Sequence, residues 1–73
     1  MSLANNPHVK SYRVLVRLEL PDPNLKWVLV VETNLPLDKA RPEYDAVALN
    51  SLAEAMIEEM NRVGADKAEI RSG

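Results

Sequence analysis

Tyr12-Arg13-Val14-Leu15-Val16-Arg17-Leu18-Glu19-Leu20 alternates without a break. Tyr12, Val14, Val16, Leu18 and Leu20 fall on one side, and Arg13, Leu15, Arg17 and Glu19 on the other. A period of two rich in β-branched residues is the pattern of a strand with one buried face. Pro21-Asp22-Pro23-Asn24 stops it, because two prolines remove backbone donors while Asp and Asn favour turn geometry. Lys26-Trp27-Val28-Leu29-Val30-Val31-Glu32-Thr33 follows at once, and so short a connection predicts an antiparallel hairpin. This second run is apolar on both sides, with Trp27, Leu29 and Val31 pointing one way and Val28 and Val30 the other, which implies burial on both faces.

Beyond the hairpin the period changes. Residues 34–38 form a loop in which Asp38 is one candidate helix cap, Pro42 suits a first helical turn, and Glu43 with Asp45 places negative charge near the helix start. From Asp45 to Val63, Ala46, Leu49, Leu52, Ala53, Met56, Ile57, Met60 and Val63 gather on one arc, with Glu54, Glu58 and Arg62 on the far side. Gly64 sits where a left-handed cap ends a helix. Lys67-Ala68-Glu69-Ile70-Arg71 alternates again as a short strand.

The expected fold is α+β in the order β-β-α-β: a small three-stranded sheet with one amphipathic helix on one face. A right-handed crossover brings the last strand back into the sheet. Strand order 2-1-3 is favoured, with the last strand beside the second as the alternative. Residues 1–11 are expected to be a flexible arm, 12–71 a single domain and 72–73 a tail.

Composition bounds what such a domain does. The chain has 73 residues, three of them aromatic, and no Phe or Cys, so its core is aliphatic and lacks a disulfide. Chains this short rarely gain more than ~3–5 kcal/mol from one core and usually add a cross-link, a metal or a partner. With no Cys and a lone His8 the first two supports are missing, and self-association is left. No cofactor is expected. A net charge of −2 and a pI near 5.3 argue against a dedicated nucleic-acid binder. No apolar stretch is long enough to span a bilayer, and residues 1–6 lack the basic start and apolar run of a signal peptide, so a cytoplasmic location is the expectation.

Several residues invite a chemical role. His8 lies in a polar stretch beside Pro7 with no nucleophile nearby, and exposure explains it. Glu54 and Glu58 share a helix face, and Glu59 adjoins them; a solvated face accounts for such a cluster better than a metal does. Met56 and Met60 sit in the apolar stripe as core filler. Tyr44, near Arg41 and Asp45, packs over the helix start or anchors an interface. There is no phosphate-binding glycine loop, no Ser-His-Asp order and no Cys nucleophile.

The informative surface is the sheet face away from the helix. Leu15, Val28 and Val30 should form its apolar centre, ringed by Arg13, Arg17, Glu19, Lys26 and Glu32. If the second strand is turned over, Trp27, Leu29 and Val31 take that place instead, and either way an apolar centre with a charged rim marks an interaction site. The expected function is therefore a small oligomeric accessory or protein-interaction module, a homodimer first, without catalysis of its own. A second expectation is single-stranded nucleic acid held by Lys10, Arg13, Arg17 and Lys26, with Tyr12 or Trp27 as stacking rings. A third is a small enzyme or ligand site shared across a subunit interface.

Overall fold

The computed structural model describes residues 2–17 and 26–72. The end of the first alternating run, including Glu19, the Pro21–Asn24 turn and Gly73 lie outside the described residues. A 3₁₀ turn, Leu3–Asn5, leads into β1 (Val9–Arg17); β2 (Lys26–Thr33), α1 (Ala46–Val63) and β3 (Lys67–Ser72) follow. The strands form one mixed sheet: β1 pairs antiparallel with β2, and β2 pairs parallel with β3.

The order is β1-β2-β3, so the expected order 2-1-3 is corrected. The cause lies in the composition of the strands. A central strand is shielded by a neighbour on each side, and β2 is the one whose two sides are both apolar. Val28, Leu29, Val30 and Val31 are all buried there, whereas β1 carries Arg13 and exposed Leu15 and belongs at an edge. The crossover stays local, and Asp66 N–H donates to Trp27 O at 2.9 Å to start β3 beside β2.

Asp45 caps α1 by accepting from Ala48 N–H at 3.1 Å. Pro42 is not in the first helical turn; it lies in the loop, where Asp38 instead closes a turn by accepting from Ala40 N–H at 2.9 Å. Gly64 ends the helix at φ 74°, a left-handed conformation that disfavours a Cβ.

The core lies between α1 and one side of the sheet. Leu29 and Val31 meet Leu52, Met56, Ala55 and Ala48, with Val14 and Ala68 packed at the margins. The buried arc of α1 is rotated from the one expected: Ala48, Ala55 and Glu59 are inside, while Ala46, Ala53 and Ile57 are exposed. At ~100° per residue, the arc from Ala55 to Met56 spans only about 100°, narrower than the apolar stripe of the helix.

The N-terminal residues differ from the expected arm. Val9, Lys10 and Ser11 belong to β1, and Leu3 is among the most deeply buried side chains of the core, 1% exposed. Thr33 fixes this segment from beneath. Its buried hydroxyl donates to His8 O at 2.7 Å and accepts from Leu35 N–H at 3.1 Å, so it joins the N-terminal segment to the loop that follows β2. Leu3→Ala is expected to cost about 2–5 kcal/mol in urea unfolding, as for other enclosed leucines. A loss below ~1 kcal/mol would show that the N-terminal turn contributes nothing to the core.

Candidate functional site

The helix-free face follows from the register. Leu15 lies opposite Val28, Arg13 opposite Val30 and Ser11 opposite Glu32; on the other side of β2, Lys67, Glu69 and Arg71 flank the same three residues. Arg17 holds the register position beside Lys26. The centre is drier than the pattern implied. Val28 and Val30 are each 2% exposed within a single chain, and only Leu15 presents substantial apolar surface. Long side chains border both valines, and their aliphatic stems suit the shielding of such positions. Ser11 Oγ donates to Glu32 Oε2 at 3.3 Å, and Arg71 Nη2 to Glu69 Oε2 at 3.4 Å. The face is a dry strip with a partly paired polar rim, basic in its balance among the described residues.

Tyr12 and Trp27 do not share that face. Tyr12 lies opposite Val31, and Trp27 continues the Leu29–Val31 row, so both belong to the helix side. The cations of the second expectation and the rings meant to stack bases are therefore on opposite sides of the sheet. Lys10 sits within the register shift between Val9 and Ser11 and is exposed.

On the helix side, α1 lies over β2 and β3 and reaches β1 little. Val16 and Trp27 adjoin across β1 and β2 there, and both are about half-exposed, Trp27 at 43%. Glu59 and Arg62 pair with each other toward the end of α1. Arg62 Nε donates to Glu59 Oε2 at 3.1 Å, and a second guanidinium nitrogen meets Oε1. This bidentate fork explains how a carboxylate is tolerated on the buried arc. The hydrogen bond from Arg62 is the main cause that holds Glu59 below the ordinary carboxylate range; burial opposes it, and the guanidinium charge adds to it. The enclosure is shallow, since Arg62 itself is 68% exposed and a small domain places few atoms around the pair. Arg62 is raised, first by that hydrogen bond and then by the charge of Glu59, against a small opposing effect of burial. Glu59, grouped in the sequence with Glu54 and Glu58, is thus apart from them; the signal that separates it is Arg62 one turn later.

A hollow of about 360 Å³ opens beyond the ends of β2 and β3, lined by Pro36, Leu37, Asp38, Arg41 and Ser72. Asp38 is engaged in its own loop, accepting from Ala40 N–H, while its carbonyl accepts from Arg41 N–H at 3.0 Å. Tyr44 is outside this lining. Among the described residues no three His, Cys, Asp or Glu side chains come together as a metal-binding group, and no helix is long and apolar enough to cross a membrane. Comparison with known families, curated proteins and solved structures gives no match.

The Glu59–Arg62 fork carries a pH dependence. A carboxyl held low in the fold stabilises it above the ordinary carboxylate range, and that contribution is lost as pH falls through the lowered value. Melting temperature should therefore drop in that acid window, and Glu59→Gln should flatten the drop. An identical acid slope in both proteins would remove the fork from the account.

Proposed function

We propose that this chain is a small self-associating interaction module, an accessory to other proteins, without catalytic chemistry of its own. The observation that carries the proposal is the mismatch between apolar side chains and the surface available to cover them. Tyr12, Leu15, Val16, Trp27, Ile57 and Ile70 remain exposed by a third or more around a core built largely from Leu, Val, Ala and Met. Exposed apolar surface grouped on one part of a small domain favours contact with another chain. Most of it gathers in two places, on the hairpin around Val16 and Trp27 and along α1 beside β3, while Leu15 on the helix-free face and Val47 in the first turn of α1 stand apart. A chain without Cys, disulfides or metal-binding clusters among its described residues gains stability most directly by covering such surface.

The expected centre of contact, Leu15 with Val28 and Val30, carries less of this proposal than the exposed residues do, because the two valines are already dry. The nucleic-acid alternative is weakened by the separation of Arg13 and Lys26 from Tyr12 and Trp27. An enzymatic site would need more than a hollow whose one carboxylate, on Asp38, is committed to its own loop. A reducing, cytoplasmic setting belongs to the same proposal and is supported by the lack of Cys. Sedimentation equilibrium of the chain from low to high micromolar concentration tests it. The expected species has a multiple of the 8.2 kDa chain mass; a folded single chain throughout would overturn self-association.

A further inference from the structure

We infer that a second copy of this chain adds to the free edge of β3, forming a two-fold antiparallel β3–β3 junction closed on the helix side by the two α1 helices. The inference rests on the self-association proposed above and states where it takes place.

The two edges of the sheet differ. β1 is interrupted by a register shift between Val9 and Ser11, with Lys10 inside it, and such bulges spoil an edge as a template for pairing. β3 pairs with β2 in unbroken register from Lys67 to Ser72, without Pro or Gly. Its outer backbone groups therefore form a regular open edge.

The helix supplies the matching surface. Taking Leu52 as facing the sheet, Ala53 and Ile57 lie ~100° and ~140° round one side of α1, and Arg62 lies ~80° round the other. In a right-handed β2–α1–β3 crossover the advancing sense of rotation along α1 turns toward β3, so the Ala53–Ile57 side points away from β1, out past β3, and Arg62 lies on the β1 side. Ile57 is 59% exposed there, Ala53 is exposed, and Ile70 of β3 is partly exposed on the same side of the sheet. These residues form an apolar shoulder directly above the open edge.

Spacing then favours a second copy as the occupant. Strands lie about 4.8 Å apart, and α1 sits over β2 and β3. Across a β3–β3 junction the two helix axes come about 10 Å apart, within the usual range of packed helices. Ile57 of each copy then faces the other shoulder.

Charge selects the register. A two-fold axis perpendicular to the sheet keeps residues of one face opposite one another. Centred on Glu69, the junction would set Glu69 against itself and Lys67 against Arg71 of the second copy, like charges throughout. Centred on Ile70, it sets Glu69 against Arg71 of the second copy twice over and brings the two Ile70 side chains together on the helix side. Centring on Ala68 also matches charges, Lys67 against Glu69, but leaves Ile70 opposite Asp66. The Ile70-centred register satisfies both faces.

Sedimentation equilibrium on the full chain and four variants tests this, with circular dichroism confirming that each is folded. Ile57→Lys and Glu69→Lys should each raise the dimer Kd by at least ~tenfold, the second through two symmetry-related repulsions. Glu69→Lys with Arg71→Glu should return it to within ~threefold of wild type. Val47→Lys, at a 79% exposed position ~80° round α1 from Ile57, on the side away from β3, and ~15 Å along its axis, should leave it unchanged. A wild-type dimer that Ile57→Lys and Glu69→Lys fail to weaken would overturn the β3 edge while leaving self-association standing. Failure of the double charge reversal to restore pairing would overturn the Ile70 register. A monomeric wild type would overturn both the junction and the proposed function.

Discussion

Everything in this fold depends on β2 being apolar on both sides. Leu29 and Val31 need the helix, Val28 and Val30 need flanking side chains, and both needs are met only if a strand lies on either side of β2. That places β1 and β3 at the edges and sends the crossover helix over the β2–β3 half of the sheet. One helix then has to cover three strands, and it does not reach across. The apolar residues left at the margins, Val16 and Trp27 on one side and Ile57 and Ile70 on the other, are the cost of building so small a domain around one dry strand.

The polar groups inside the domain serve as joints. Thr33 connects the N-terminal segment to the loop after β2, with its hydroxyl both donating and accepting. Glu59 enters the buried arc only because Arg62 answers both carboxylate oxygens. No described buried side-chain nitrogen or oxygen lacks a partner. A satisfied interior of this kind fixes one conformation. The features with unmet potential are on the outside: apolar residues and a regular strand edge.

Much of the architecture was legible in the sequence. The two-residue period gave both strands of the hairpin, and Gly64 marked the helix end; which side of β2 meets the helix was open, because both sides are apolar. Strand order was not legible from β1, whose alternation describes one buried face and says nothing of neighbours; the two-sided apolarity of β2 held that information. Leu3 carried no period because a single leucine among polar residues has none, yet it fills the core. The rotation of α1 was hidden because Glu59 counts as polar until Arg62 is paired with it, and because Ala46, Ala53 and Ile57 are as apolar as the residues that are buried. On the helix-free face the hairpin brings together Arg13, Leu15, Arg17, Lys26, Val28, Val30 and Glu32, with Glu19 outside the described residues. How dry Val28 and Val30 would be depended on Lys67, Glu69 and Arg71, which the favoured strand order had put elsewhere.

Amide hydrogen exchange along β3, followed residue by residue as the chain is diluted, tests the central claim most directly. The amides of β3 that point away from β2 have no partner strand in a single chain and should exchange quickly when dilute, then slow markedly as concentration rises, while those on the outer edge of β1 stay fast. Outward amides of β3 that exchange at one unchanging rate at every concentration would contradict the account.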